Sequence, residues 1–211
     1  MRVSPRFTPS PNEVDRLLAA HPFALVVSVG DNGFCVTPLP LLLQRSEGEA
    51  VLLGHFARNN PHVQELERQP AAVAIFMGPR GYISPSWLSD RTHPPAFHHA
   101  TVLMQVRVDF DWSADAARQA VELLTSKMEA GRRNAWSPEE MGSRYAQLLP
   151  GVVAFRAPIL ETTAVFKLGQ NEPARVLTEA LAGLASEQAH ELHAMMQRAN
   201  AHRSESGASK G

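Results

Sequence analysis

A chain of 211 residues, 44% hydrophobic and 19% charged, holds enough apolar side chain for one ordinary core and a further small helical unit. A formal charge of −1 gives no general pull toward nucleic acid or acidic membranes, and the single Cys35 excludes an internal disulfide and any cysteine-spaced metal motif. No apolar run approaches the ~20 residues of a membrane helix, and none follows Arg2 and Arg6 as in a leader, so the chain reads as soluble and cytoplasmic.

Met1 to Pro11 is proline-rich and reads as extended. Asn12 is placed to cap a short helix with Val14, Leu17 and Leu18 on one face, ending before His21-Pro22. Phe23 to Val29 is almost wholly apolar, the pattern of a strand buried on both sides. Asp31-Asn32-Gly33 turns the chain and Phe34 to Thr37 returns as a hairpin partner. Pro38 and Pro40 restrict pairing before Leu41 to Gln44 continues as strand, and Ser46 to Glu49 is the next turn. Strand and turn alternating about every ten residues predicts an antiparallel barrel or sandwich, not a parallel sheet.

The segment Gly54 to Trp87 is the densest in signals. Val51-Leu52-Leu53 runs into Gly54-His55-Phe56, a strand end. Asn60 stands at an N-cap with Pro61 at the first helical position, and the helix stops before Pro70. Ala71 to Met77 is a strand bounded by Pro70 and Gly78-Pro79, and Tyr82 to Trp87 is an aromatic turn. The helix start gathers Arg58, Asn59, Asn60 and His62 beside free N–H groups and a partial positive charge, which suits a phosphate. The plainer reading is a capped surface helix.

Beyond the irregular Asp90 to Pro95, Phe97 to Phe110 alternates as a long strand. Ser113 caps a helix carrying Ala117, Val121, Leu124 and Met128, with Gly131 past its end. Ser137-Pro138-Glu139-Glu140 opens another helix in capping-box fashion, through Tyr145 to Leu149. Val152 to Lys167 is a last strand, interrupted at Pro158. From Pro173 two helices follow, with Gly183 and Ser186 as stop and restart, and Ser204 to Gly211 reads as a disordered tail.

The strings GHFARNNPHV (Gly54 to Val63), GPRGYISPSW (Gly78 to Trp87) and AVFKLGQN (Ala164 to Asn171) resemble those of the PaiB-type family, the FMN-binding negative transcriptional regulators. The resemblance covers most of the chain up to Asn171. It implies an α+β fold built on an antiparallel split β-barrel of the pyridoxamine phosphate oxidase kind. It further implies a homodimer with flavin mononucleotide at the subunit interface. On it, residues 1–171 form the flavin-binding domain with a helical insertion at about 113–149, residues 172–203 a C-terminal helical segment, and 204–211 a tail. The matched strings assign cofactor contacts to His55, Arg58, Asn59, Asn60, Tyr82, Ser84, Ser86, Trp87, Lys167 and Gln170, and no catalytic or metal-binding residue.

Two departures stand out. The family's KLSQNR becomes Lys167-Leu168-Gly169-Gln170-Asn171-Glu172, losing a hydroxyl and inverting a charge. Its PTWNY becomes Pro95-Ala96-Phe97-His98-His99. Neighbours on a strand face opposite ways, so His98 and His99 do not easily chelate one ion together; His93 or a histidine of a second subunit would have to complete such a site, and the favoured reading of each is structural or solvated. His190 and His193 share a helix face without a third ligand. No nucleophile elbow, phosphate-binding glycine loop, acid–base dyad or basic recognition helix is evident. The expected function is therefore a binding and regulatory protein acting indirectly, through ligand or partner, with direct DNA contact doubtful. The alternatives are a flavin-dependent oxidoreductase, a haem-handling split-barrel enzyme, or a homologue without cofactor.

Overall fold

The structure, a computed structural model, describes residues 4–30 and 33–201. Its first helix, α1 (Pro11–Ala20), is capped by Ser10, not by the expected Asn12. The Ser10 N–H donates to the Glu13 carboxylate at 2.7 Å and the Glu13 N–H to Ser10 Oγ at 3.4 Å, so Pro11 takes the first helical position and the cap falls just before it. A 3-10 turn at Pro5–Phe7 replaces part of the extended start.

Strands β1 (Phe23–Gly30) and β2 (Gly33–Pro40) form a hairpin in which Gly30 pairs with Gly33. The expected turn residues Asp31 and Asn32, and the tail Ser204 to Gly211, lie outside the described residues. After β3 (Leu42–Ser46) and β4 (Glu49–Ala57) comes α2 (Pro61–Arg68), with Asn60 as its cap. The chain continues through β5 (Ala71–Ile83), β6 (Ala96–Arg107), β7 (Asp109–Asp111), α3 (Ala114–Glu129), α4 (Ser143–Leu148) and β8 (Val152–Lys167). Helices α5 (Ala174–Ser186) and α6 (His190–Ala199) end it. The eight strands make one sheet in the order β2-β1-β5-β6-β8-β4-β3, with β7 paired to β8; β2 and β3 are its edges, so it is not closed. The resolved pairings are antiparallel, as the turn spacing predicts.

Two compact units divide the described residues. One draws on residues 4–14, 77–102 and 163–201, the other on 15–30, 33–76 and 103–162. The second has a ring cluster of Phe56, Phe110 and Phe155, centroids 5.1 to 6.1 Å apart. Gly54 makes room for it, since a Cβ there would lie 2.9 Å from Phe155 Cζ. In the first, Phe166, Leu168, Leu184 and Met196 are buried. Among the described residues no helix is long and apolar enough to cross a membrane.

Five local expectations are corrected. β1 is not buried on both sides: Ala24, Val26 and Ser28 are buried, while Phe23 is 63% and Val29 57% exposed. β5 does not stop at Gly78-Pro79 but runs on to Ile83, its buried parity shifting from Gly78 to Ile83 as across a bulge. β8 is not interrupted at Pro158; the proline is the last partner of β4, through Val51, so it ends one ladder without ending the strand. The helix expected after Ser137 breaks at Gly142 (φ +57°), leaving a 3-10 turn and α4, though the Glu140 carboxylate does accept from the Ser137 N–H at 3.0 Å. Gly183 is not a stop. It lies inside α5, where a Cβ would come within 2.3 Å of the Trp87 ring.

Candidate functional site

In the first unit, strand parity sorts the chemistry. On β6, His98, Ala100 and Val102 are buried, so Phe97, His99 and Thr101 point outward. On β8, Ala164 and Phe166 are buried, as is Leu168 just past its end, which turns Thr163, Val165 and Lys167 outward. The shift in β5 leaves Arg80 and Tyr82 exposed. Tyr82 and Phe97, 46% and 64% exposed, lie ring to ring at 5.6 Å and 56°. His99 Nδ1 meets Thr101 Oγ1 at 2.9 Å. Burial, and then the charge of Lys167, hold the His99 pKa below its ordinary value, so the ring is neutral at neutral pH. Among the described residues no ion pair involves Lys167 or Arg80.

The other named residues of this unit are occupied structurally. Ser84 Oγ accepts from the Ser86 N–H at 3.1 Å and bonds Ser86 Oγ at 2.7 Å, fixing the turn Pro85–Trp87. That turn lays the Trp87 indole on Gly183 of α5. The Gln170 side chain closes the end of β8: its Oε1 accepts from the Leu168 N–H and its Nε2 donates to the Phe166 carbonyl, each at 2.7 Å.

His98 points the other way and is 1% exposed. Its Nδ1 lies 3.4 Å from Met196 Sδ, and its Nε2 has no hydrogen-bond partner among the described residues. Desolvation, reinforced by Lys167 and opposed by Glu172, pushes its pKa down to about 4. The cavity beside it, of about 10 Å³, is lined mainly by apolar side chains and by His93 and Glu172, paired at 3.0 Å. Among the described residues no group of three or more His, Cys, Asp or Glu side chains is arranged for a metal.

In the second unit, β4 delivers His55 half-buried, with Nδ1 unpartnered among the described residues and its pKa lowered by burial. Arg58 is exposed, its guanidinium 5.1 Å from the Trp112 ring centre, and it lines an open recess of about 400 Å³ with Asn59, Pro150 and Gly151. Asn60 turns inward: its Oδ1 accepts from the His62 N–H at 2.9 Å and its Nδ2 donates to Thr37 Oγ1 at 3.2 Å. The Val63 N–H is taken by the Asn60 carbonyl at 3.0 Å. His62 is buried between Ser28 Oγ and Thr37 Oγ1, both at 2.8 Å. The structure therefore joins Arg58 with Asn59, and Tyr82 with Phe97, while Asn60 and His62 serve α2. Sequence reading overlooked Arg80, Thr101 and Trp112 and did not join Phe97 to Tyr82; for the β6 residues, alternation against the buried His98 was the available signal.

The first unit's outward strands thus offer aromatic rings, hydroxyls and unpaired cations, a donor set that fits a ligand combining a flat ring with an anion. The fold recurs in solved structures. They include a conserved hypothetical protein of Mycobacterium tuberculosis (TM-score 0.58, 12% identity, 82% of this chain and 94% of that one). Another is an FAD- and haem-binding protein of Mycobacterium smegmatis (TM-score 0.57, 20% identity, 84% and 80%). The fold is of α+β class, a split barrel, and the sequence gives the family, one of flavin-binding proteins. Residues 1–161 match the family described as "Putative FMN-binding domain", and the chain belongs to that family. It is also similar to the protease synthase and sporulation protein PAI 2 of Bacillus subtilis, 26% identical over 160 residues, which cover 75% of this chain and 76% of that protein.

Proposed function

We propose that FMN is held on the outward strands of the first unit, and that the protein works as a flavin-dependent binding and regulatory protein whose effect on transcription is indirect. The observation that carries this reading is the Tyr82–Phe97 ring pair sharing those strands with Lys167 and Arg80, which have no carboxylate partner among the described residues. The aromatic pair covers the flavin ring, His99 and Thr101 bond its polar edge, and Lys167 with Arg80 receives the phosphate. The flavin, when bound, supplies one- or two-electron redox chemistry. Arg58 with Asn59 is the competing phosphate anchor; it is weaker, because the neighbouring helix-start N–H groups of His62 and Val63 are already satisfied. Indirect action is supported by the charge of −1 and by α6, in which Arg198 is offset by Glu191. The assembly we infer is a homodimer through the exposed apolar side of the β1–β2 hairpin.

Absorbance and mass spectrometry of the purified protein identify the bound cofactor. FMN titration then ranks the anchors: Lys167→Gln is expected to weaken binding about tenfold, the worth of one charged hydrogen bond, and Arg58→Gln to change it little. The reverse order moves the phosphate to Arg58, and no flavin binding at all defeats the reading. Bleaching of bound flavin by reduced nicotinamide at catalytic rates would place the protein among oxidoreductases instead.

A further inference from the structure

The second unit holds another concave site. Side chains of α1, β3, β4 and α3 enclose a cavity of about 410 Å³, within the ~300–1,000 Å³ of small-molecule sites. Leu18, Leu42, Leu43, Leu53 and Leu123 line it. Leu18 is buried, but Leu123 stays 46% exposed, an apolar side chain left facing the opening. The polar lining is Asp15, Gln44, Arg45 and Lys127. Arg45 binds Asp15 through two hydrogen bonds, Nε to Oδ2 at 2.8 Å and Nη2 to Oδ1 at 2.7 Å, so those charges cancel. Lys127 has no ion-pair partner among the described residues, and it stands four residues from Leu123 on the same side of α3.

We propose that this cavity binds a small amphipathic carboxylate, its aliphatic or aryl body on the leucines and its carboxylate on Lys127. A single uncompensated cation matches a monoanion better than a phosphate dianion. The concave apolar lining favours a chain or ring of modest size over a flat protein surface. Gln44 adds an amide donor at the same rim. Lys127 also sits in the last turn of α3, where a cation complements the helix end, so its loss has a small stability cost separate from any ligand.

Isothermal titration of the flavin-loaded full chain with decanoate and decanol, below their micelle concentrations, tests the assignment. Saturable binding of one decanoate per chain is expected. Lys127→Gln should weaken decanoate ~5-fold, the upper range for a partly exposed ion pair, and leave decanol unchanged. Ala19→Trp, which fills the cavity from an exposed position on α1, should abolish both with the melting temperature retained. The proposal is overturned if the parent binds no decanoate saturably, or if Lys127→Gln weakens decanol equally. It is also overturned if Leu123→Asp turns a dimer into a monomer by light scattering, because the groove would then be a contact between copies.

Discussion

His98 and Gly169 stand where the resembled family pattern carries asparagine and serine, and the two positions touch. Gly169 has φ +82°, and a Cβ there would lie 3.3 Å from His98 Cε1 and 3.2 Å from Leu177 Cδ1. A larger ring at 98 and a missing side chain at 169 are thus one exchange of volume. Gly169→Ser should destabilise the parent by about 2 kcal/mol, from a strained backbone and the clash, and cost about 1 kcal/mol less beside His98→Asn; additive costs in a double-mutant cycle would show the two substitutions to be independent. The buried ring also makes stability depend on pH. Its folded pKa, about 4, lies below the ordinary 6.5. Above pH 6.5 the ring is neutral in both states. Between there and about pH 4 the unfolded chain takes up a proton that the native chain refuses, so stability falls as pH falls, by about 3 kcal/mol from this residue. His55 and His62, also lowered by burial, act with the same sign. Urea unfolding at pH 7 and pH 4.5 should give a smaller difference for His98→Asn than for the parent.

Helix α2 shows at the element scale what sequence could and could not tell. Asn60, Pro61 and the stop before Pro70 were legible because capping is local chemistry, and the same holds for Ser113 before α3. The inward turn of His62 was not, because its partners Ser28 and Thr37 lie 34 and 25 residues away. A polar cluster beside a helix start looks the same in sequence whether it faces a ligand or its own sheet. Gly183 was misread for a similar reason: a glycine that receives a Trp87 ring and one that ends a helix share one letter. Pro158 ended a ladder, not a strand, and only the pairing tells these apart. On this view α2 is pinned by its polar network. His62→Ala should destabilise by about 2 to 4 kcal/mol, through a cavity and two stranded hydroxyls, and Asn60→Ala by about 1 kcal/mol as a lost cap. Equal, small losses in chemical denaturation would mean that the network contributes little.

At the scale of the whole molecule, the β1–β2 hairpin leaves an apolar surface that a monomer has no use for. Cross-strand register sets Val29 opposite Phe34 and Val27 opposite Val36, and on this outer side Phe34 is 80% and Val36 53% exposed, beside the exposed Phe23 and Val29. The inner side of the same hairpin carries Ala24, Val26 and Leu39, all buried, so the near-continuous apolar sequence of β1 has a core on one side only. A strand that reads as doubly buried yet is half-exposed in one chain is what a sheet shared between two copies produces, and β2 lies at an edge of its sheet, where pairing or stacking with a twin is open. A second copy laid on this surface would remove several large side chains from water, each worth about 1.5 to 3 kcal/mol when fully buried, enough to sustain micromolar association after the cost of ordering two chains. Val36→Asp introduces a charge at the centre of that surface while leaving the inner core untouched. Light scattering at micromolar concentration should show the parent as a dimer and Val36→Asp as a folded monomer with unchanged far-ultraviolet circular dichroism. A parent that is itself monomeric under these conditions would leave the exposed hairpin to some other partner.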